Sequence, residues 1–246
     1  VNADVHGWTP MLLAAKKGHL WVVEYLVEEG ADANAEDFHG RRALHWTAQH
    51  DQWTTTEVLL QKGAMLDAMD RWGRTALAWA VSSKALYAGK CLLQNGADVE
   101  ANMQGGFTPL HLASYVGDED MASLLLKQGA SVKARTDRGY TALHIAVLLQ
   151  HEKLAQLLMK NDDDADAEIQ WAEQDAKDLQ EVGDSVAYHL EYADCHDDHL
   201  LRAPEHLERC MLRLLTQQGV DSAAKSWTAR QLASLTGSTA LQRVLA

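Results

Sequence analysis

Apolar and polar residues alternate along this chain with the three- and four-residue spacing of amphipathic helices. Two clear examples have apolar side chains at Val22, Val23 and Leu26, and at Leu154, Leu157 and Leu158. A shorter apolar stretch precedes each such helix and begins at a residue whose hydroxyl can cap free backbone N–H groups. The residues in this position include Thr9, Thr75, Thr108, Thr141 and Thr228. The pattern predicts units of turn, helix, turn and helix.

Two series of glycines repeat with a period of 33 residues. The first series is Gly7, Gly40, Gly73, Gly106 and Gly139, and the second is Gly30, Gly63, Gly96 and Gly129. Each glycine of the second series follows a predicted helix, where a residue in the left-handed conformation is often needed. Because one unit of this size cannot bury the apolar faces of both its helices, neighbouring units must stack and share a core.

The repeated sequence contains two motifs. One is Gly-x-Thr-Pro-Leu-His, as in Gly106 to His111, and the other is Gly-Ala-Asp, as in Gly30 to Asp32. With them the chain resembles the ankyrin repeat family, strongly over residues 1 to about 166 and more weakly over 207–246. The resemblance implies an all-α solenoid of about seven helix-turn-helix units with β-hairpin fingers. It also implies that the fingers and the first helices line a concave groove.

The repeat register breaks after Asn161, and this divides the chain into three predicted segments. Residues 1–166 form five repeats, and residues 167–206 form an acidic insertion that ends in a degenerate first helix of a sixth repeat. Residues 207–246 supply the rest of that repeat and a C-terminal capping repeat. Within the insertion, Ile169–Val182 is predicted to be an acidic amphipathic helix. The first six residues read as the tail of a preceding finger, so we expect the chain to be a piece of a longer protein.

Charge and cysteine content narrow the class of protein. The net charge is −13, but residues 162–208 hold sixteen acids and two bases, whereas the other 199 residues hold nineteen acids and twenty bases. We expect no nucleic-acid partner, because phosphates repel an acidic protein. The odd count of cysteines (Cys91, Cys195 and Cys210) excludes a disulfide framework and favours the cytoplasm, with the nucleus also possible. The apolar runs are shorter than the roughly 18 residues of a membrane span, so no membrane insertion is expected.

Histidines are the first candidates for chemistry, and the repeat explains five of them. His45, His111 and His144 share one repeat position, where the resemblance implies a structural hydrogen bond, and His19 and His151 open second helices. A metal-dependent site is an alternative in residues 189–210, which contain His189, Cys195, His196, His199, His206 and Cys210. No known zinc-ligand spacing occurs there. We therefore predict no catalysis, no cofactor and no metal.

The positions beside each finger glycine, and at the end of each first helix, are the partner-binding positions that the resemblance implies. They carry large aromatic and arginine side chains, which dominate protein-binding hot spots. The predicted partner-binding residues are Trp8, Phe38, Arg41, Arg71, Trp72, Arg74, Phe107, Tyr115, Arg138 and Tyr140. Lys16, Lys17 and His39 occupy the same kind of position, and six Lys or Arg stand against one Asp. Trp46 and Trp79 are instead expected in the core.

The sequence thus predicts a monomeric scaffold or protein-binding module whose partner is a protein or peptide, acidic in character. An alternative is that these repeats regulate a larger multidomain protein, such as an enzyme, a channel or an immune-type receptor. A further hypothesis is that the acidic insertion folds over the basic groove and competes with the partner. In that case, removing residues 167–203 strengthens binding, and does so most at low ionic strength.

Overall fold

The computed structural model describes residues 7–161, 168–170 and 226–245. Contacts divide the chain into two compact units, Val1–Ser131 and Val132–Ala246. Helices account for most of the described residues, as the sequence predicts.

The first compact unit consists of four helix pairs in successive repeats. The pairs are α1 (Pro10–Lys17) and α2 (Leu20–Glu28), α3 (Ala43–Gln49) and α4 (Trp53–Gln61), α5 (Ala76–Ser82) and α6 (Leu86–Gln94), and α7 (Pro109–Val116) and α8 (Glu119–Lys127). A short 3-10 turn, Gln104–Gly106, precedes α7. First helices pack on first helices and second helices on second helices, so each pair contacts the next pair along the chain.

The helix ends follow the sequence signals. The Thr9 hydroxyl accepts a hydrogen bond from the N–H of Leu12 at 3.2 Å, and Thr75 caps α5 in the same way at 3.3 Å. After each second helix of this unit, the glycine of the second series has a φ between +81° and +91°. A side chain is strained in this conformation, which explains the glycine at each repeat of the turn.

The core lies between successive helix pairs. Leu12, Leu59, Leu92 and Leu125 are fully buried, with one of them in each helix pair of this unit. Burying one such side chain stabilises a fold by about 1.5–3 kcal/mol. The stacked pairs therefore hold the fingers at fixed positions along one edge of the unit.

Among its described residues, the second compact unit has two helix pairs and one strand pair. Its elements are α9 (Ala142–Leu148) and α10 (Glu152–Met159), the antiparallel strands β1 (Glu168–Gln170) and β2 (Ser226–Thr228), and α11 (Ala229–Thr236) and α12 (Thr239–Val244). Helix α11 packs on α9, and α12 packs on α10. The Ser238 hydroxyl also donates a hydrogen bond to the Glu152 carboxylate at 2.9 Å. The closing pair is thus the direct neighbour of the fifth pair.

The sequence prediction places a sixth repeat between the two pairs. The residues predicted to form it lie outside the described residues, so that repeat stays a prediction. Glu168 lies four repeat periods after Glu36, and its partner in the sheet is Thr228, just as Glu36 bridges Arg42 across the second finger. Thr141 and Thr228 are 87 residues apart, which exceeds one repeat of 33 by 54. In the sequence, the additional residues therefore lie between Glu168 and Thr228.

The predicted helix Ile169–Val182 is corrected at its start, because Ile169 belongs to β1 and pairs with Trp227. Residues 171–182 of that predicted helix lie outside the described residues, as do residues 207–225 of the predicted C-terminal segment. The boundaries of the acidic insertion and the count of about seven units stay predictions.

Candidate functional site

Each finger of the first compact unit is a tight turn built around a buried side chain. In the second finger, residues 36–42, one oxygen of Asp37 accepts hydrogen bonds from the N–H of His39 at 2.8 Å and of Arg41 at 3.0 Å. Its other oxygen accepts from Nε of Arg41 at 2.7 Å. Three donors thus satisfy a carboxylate that is only 4% exposed, as burial of a charge requires.

The third finger, residues 69–75, repeats this arrangement with an additional donor. Asp70 accepts hydrogen bonds from the N–H of Trp72 and of Arg74, both at 2.9 Å, and from Nε of Arg74 at 2.8 Å. The indole N–H of Trp79 also donates to this carboxylate at 3.1 Å. The finger is therefore joined to helix α5 by a side-chain hydrogen bond.

The finger glycines allow the fingers to approach one another. Gly7 and Gly40 have φ values of +81° and +72°, and a Cβ on either would lie against the backbone of the next finger. For Gly7 the distance to the N atom of Phe38 would be 2.9 Å, which is shorter than a real contact allows. Neighbouring fingers therefore touch backbone to backbone, and their tips form one surface.

His45 links the second finger to the third, as the sequence predicts for a structural histidine. Its Nδ1 accepts a hydrogen bond from the N–H of Arg42 at 2.9 Å, so the proton lies on Nε2. Nε2 is 3.0 Å from the carbonyl oxygen of Ala68 and 3.2 Å from that of Arg74. Burial lowers the pKa of His45, because the charged imidazolium loses its hydration, although the Asp70 carboxylate opposes this effect. The ring is thus a neutral bridge rather than a proton carrier.

Indole rings and cations alternate in contact across the first three repeats. Lys16 places its ammonium 5.0 Å from the ring centroid of Trp8 and 4.5 Å from that of Trp46. Trp46 lies 6.0 Å from Trp79, and the guanidinium of Arg74 lies over Trp79 at 4.1 Å. Each such contact contributes about 0.5–2 kcal/mol, so the cations are held in defined places.

The exposed residues of this layer form what we call the finger surface. Phe38, Lys17 and Arg71 are exposed, whereas Trp8, Lys16, His39 and Trp72 are half-buried. Among the described residues, no carboxylate lies within ion-pair distance of Lys16, Lys17 or Arg71, since the ion pairs there are Arg41–Asp37, Arg42–Glu36 and Arg74–Asp70. The finger surface is therefore cationic and aromatic.

Four of the predicted partner-binding residues are buried, and their partner-binding role stays a prediction. Arg41 and Arg74 are each 6% exposed, Phe107 is 4% exposed and Tyr140 is 2% exposed. All four directly follow a finger glycine, and this position turns the side chain inward in each of these repeats. Arg41 and Arg74 pair with their finger aspartates, and the ring of Phe107 packs edge-on against His111, with centroids 5.9 Å apart. Arg41 and Arg74 therefore stabilise the second and third fingers from the inside.

The other two predicted residues lie outside the finger surface as defined here. Tyr115 is half-buried at the end of α7, and Arg138 is exposed on a finger of the second compact unit. Their partner-binding role stays a prediction. Trp46 and Trp79 are each 2% exposed, so their predicted place in the core is confirmed.

Sequence reasoning missed Asp37 and Asp70, which organise the fingers. Their signal is an Asp-x-x-Gly-Arg pattern that occurs twice, at 37–41 and at 70–74. In the later fingers, Met103 and Thr136 replace the aspartate, and an aromatic residue replaces the arginine. Both members of the ion pair are thus replaced in these later fingers, whereas the first finger has Asp4 at the aspartate position and Trp8 at the arginine position.

The described residues offer little for catalysis or metal binding. Within 7–161, 168–170 and 226–245, no group of three or more His, Cys, Asp or Glu side chains is placed to hold a metal ion. Burial, with Glu57 nearby, raises the pKa of the Cys91 thiol, which keeps it protonated and weakly nucleophilic. The alternative metal site at 189–210 lies outside the described residues. In the same described part of the chain, no helix combines the length and apolar character needed to cross a bilayer.

Comparison with known proteins agrees with this architecture. A model of the family described as ankyrin repeats matches the chain in three copies, over residues 1–37, 36–103 and 84–170. No curated protein matches the chain. The matched residues cover more than half of the chain and include all four helix pairs of the first compact unit. With its stacked helix pairs and glycine-centred fingers, the chain belongs to the ankyrin repeat family.

Proposed function

We propose that this chain is a protein-binding module that holds an acidic protein or peptide on its finger surface. Ankyrin repeats are in general non-catalytic modules for protein interaction. The observation that supports this role most strongly is the finger surface itself, where Trp8 and Trp72 keep part of their indole rings in solvent beside cations. Tryptophan and arginine are enriched in hot spots because they combine contact area with directional hydrogen bonds.

The rigidity of the fingers supports the same role. Hydrogen bonds to Asp37 and Asp70 fix the backbone of the residues at the finger tips before any partner arrives. Ordering a flexible loop on binding would cost about 0.5–1.5 kcal/mol for each immobilised side chain. Here much of that ordering is already present in the free protein.

The charge of the finger surface supports an acidic partner. Lys16, Lys17 and Arg71 have no described carboxylate within ion-pair distance, so their field is available to a ligand. Complementary charge speeds encounter and excludes partners of the wrong sign. Binding then weakens as ionic strength rises, because salt screens exposed charges over about 10 Å at 0.1 M. The odd number of cysteines supports a reducing compartment, the cytoplasm or the nucleus, as the place of binding.

Affinity capture from cell extract, read by mass spectrometry, tests this proposal. The variant Trp8→Ala/Trp72→Ala should lower recovery of specific partners at least tenfold, because it removes both half-buried indoles of the finger surface. The control is Trp21→Ala/Tyr87→Ala, which removes two aromatic side chains that are 82% and 65% exposed on second helices. Both variants should keep the helicity and the cooperative unfolding of the wild type. Equal recovery with the two variants would contradict the proposal.

A further inference from the structure

The tips of neighbouring fingers differ sharply in chemistry. The residues at the tip are Phe38 and His39 in the second finger, Arg71 and Trp72 in the third, and Gln104 and Gly105 in the fourth. Aromatic rings therefore occur at the second and third tips and a cationic side chain at the third, whereas the fourth tip has neither. A recognition site formed by these tips is therefore confined to the second and third fingers.

The two tips are joined through His39, Arg71 and Trp72, which we call the tip cluster. The N–H of Arg71 donates to the carbonyl oxygen of His39 at 3.0 Å. The His39 ring stacks on Trp72 with centroids 5.4 Å apart and planes 21° apart. The guanidinium carbon of Arg71 lies 5.4 Å from the same indole ring.

The Arg71 guanidinium is held in place without being neutralised. Its Nη1 is 3.3 Å from Nδ1 of His39, and because a guanidinium only donates, Nδ1 accepts this bond. One of five N–H donors is used, and the side chain is exposed. In the part of the chain that the structure describes, no carboxylate lies within 4.0 Å of it.

A planar guanidinium with free donors matches a carboxylate, which it binds through two parallel hydrogen bonds. An arginine that already rests against an indole loses less side-chain freedom when it binds such a group. Phe38, 70% exposed on the adjoining tip, offers apolar area next to the charge. The cluster is therefore suited to an anionic group that is followed or preceded by an apolar side chain.

We infer that the tip cluster is a carboxylate-binding subsite, in which Arg71 binds an Asp or Glu side chain of the partner and Phe38 contacts an adjacent apolar residue. This inference rests on the proposed function and names the partner chemistry that one part of the finger surface recognises. His39 and Trp72 act as positioning residues, because they hold the guanidinium at the tip.

Fluorescence anisotropy with labelled twelve-residue peptides tests the subsite. The probes alternate Glu with Leu, Gln with Leu, or phosphoserine with Leu. Wild-type protein should bind the Glu-Leu peptide about tenfold more tightly than the Gln-Leu peptide, as expected for a charge-assisted bidentate pair. In Arg71→Ala this ratio should fall below about twofold, and Arg71→Lys should keep part of it. The control Lys90→Ala removes an exposed cation on α6 and should leave the ratio unchanged.

Three results would overturn the carboxylate subsite. They are an equal affinity of wild type for the Glu-Leu and Gln-Leu peptides, an unchanged ratio in Arg71→Ala, and a phosphoserine peptide that binds more than about tenfold more tightly than the Glu-Leu peptide. Circular dichroism of Arg71→Ala verifies that the fold is intact.

The capture experiment distinguishes failure of the carboxylate subsite from failure of the protein-binding function. Recovery that depends on Trp8 and Trp72 but not on Arg71 leaves the protein-binding function standing without this subsite. If the peptides are discriminated through Arg71 but no partner is captured, the carboxylate subsite stands and the protein-binding function fails.

Discussion

The indole N–H of Trp79 donates a hydrogen bond to the carboxylate of Asp70, nine residues earlier in the chain. The equivalent pair in the preceding repeat, Trp46 and Asp37, lacks this bond, and Nε1 of Trp46 is buried without a hydrogen-bond partner among the described residues. The third finger is therefore attached to its first helix by a contact that the second finger does without. This difference has a consequence for stability.

We predict that Asp70→Asn destabilises the fold more than Asp37→Asn does. Each substitution leaves a buried arginine without its carboxylate, which costs about 3–5 kcal/mol. Asp70→Asn also weakens the hydrogen bond to Trp79, which adds about 1 kcal/mol. Urea unfolding followed by circular dichroism gives the comparison. An equal shift of the two midpoints would show that the Trp79 bond contributes nothing.

We predict that acid destabilises the fold partly through His45. Its folded pKa is lowered by burial, while its unfolded pKa is the ordinary 6.5. The unfolded state therefore takes up a proton first as the pH falls, and stability is lost below pH 6.5 towards the folded pKa. The slope per group is at most about 1.4 kcal/mol for each pH unit.

The measurement for His45 is the urea midpoint between pH 7.5 and pH 5. In His45→Gln the pH dependence of the midpoint should be shallower than in wild type, although the variant is less stable at pH 7.5 because a buried bridge is lost. His19→Gln, which changes an exposed histidine, is the control and should keep the wild-type slope. A wild-type slope in His45→Gln would remove His45 from the acid response.

Much of the fold is predictable because the deciding signals are local. Thr9 and Thr75 cap their helices, and Gly30 adopts a positive φ, through contacts within a few residues of each. Whether Arg41 faces solvent or core depends instead on Asp37 and on the Trp46 ring beneath its guanidinium. From its residue type alone, Arg41 is expected on the protein surface. Only the folded finger shows that its buried charge is paired with a carboxylate.

The end of the array was harder to predict for the same reason. From Asp162 to Gly219 the chain has 57 residues where one period is 33, and this excess predicts an insertion in the array. The structure pairs Glu168 with Thr228. Strand pairing between residues 60 positions apart leaves no trace in a helical period, so periodicity could not reveal it.

One repeat position should respond very differently to substitution in different repeats. Leu13 is 49% exposed, whereas Trp46 and Trp79, one and two periods later, are 2% exposed. Trp46 packs on Trp8 of the repeat before it, and Trp79 packs on Trp46. We predict that Trp79→Ala costs about 3–5 kcal/mol of unfolding free energy. Leu13→Ala should cost less than about 1 kcal/mol.

Chemical denaturation of the two variants gives this comparison, and Tyr87→Ala serves as a further exposed control. A cost for Leu13→Ala close to that of Trp79→Ala would mean that the Leu13 face is covered in solution. The exposed fraction of Leu13 would then be a poor guide to its environment.

We predict that residues 169–227, which include two residues of each strand and the segment between them, are dispensable for the helices on either side. Glu36 and Arg42 close the second finger across only five residues, Asp37 to Arg41. Replacing residues 169–227 by these five residues should join Glu168 to Thr228 at the same register. Because α11 and α12 pack directly on α9 and α10, the closing pair keeps its apolar contacts, including the buried Leu232 and Leu241.

Amide hydrogen exchange should show unchanged protection of α9 and α11 in the shortened chain. A matched chain with five glycines in the same place tests whether the finger sequence itself is needed or only a connection of the same length. Its helices should be less protected from exchange, because Gly loses more conformational entropy on folding. Loss of protection in both shortened chains would show that residues 169–227 hold the closing pair in place.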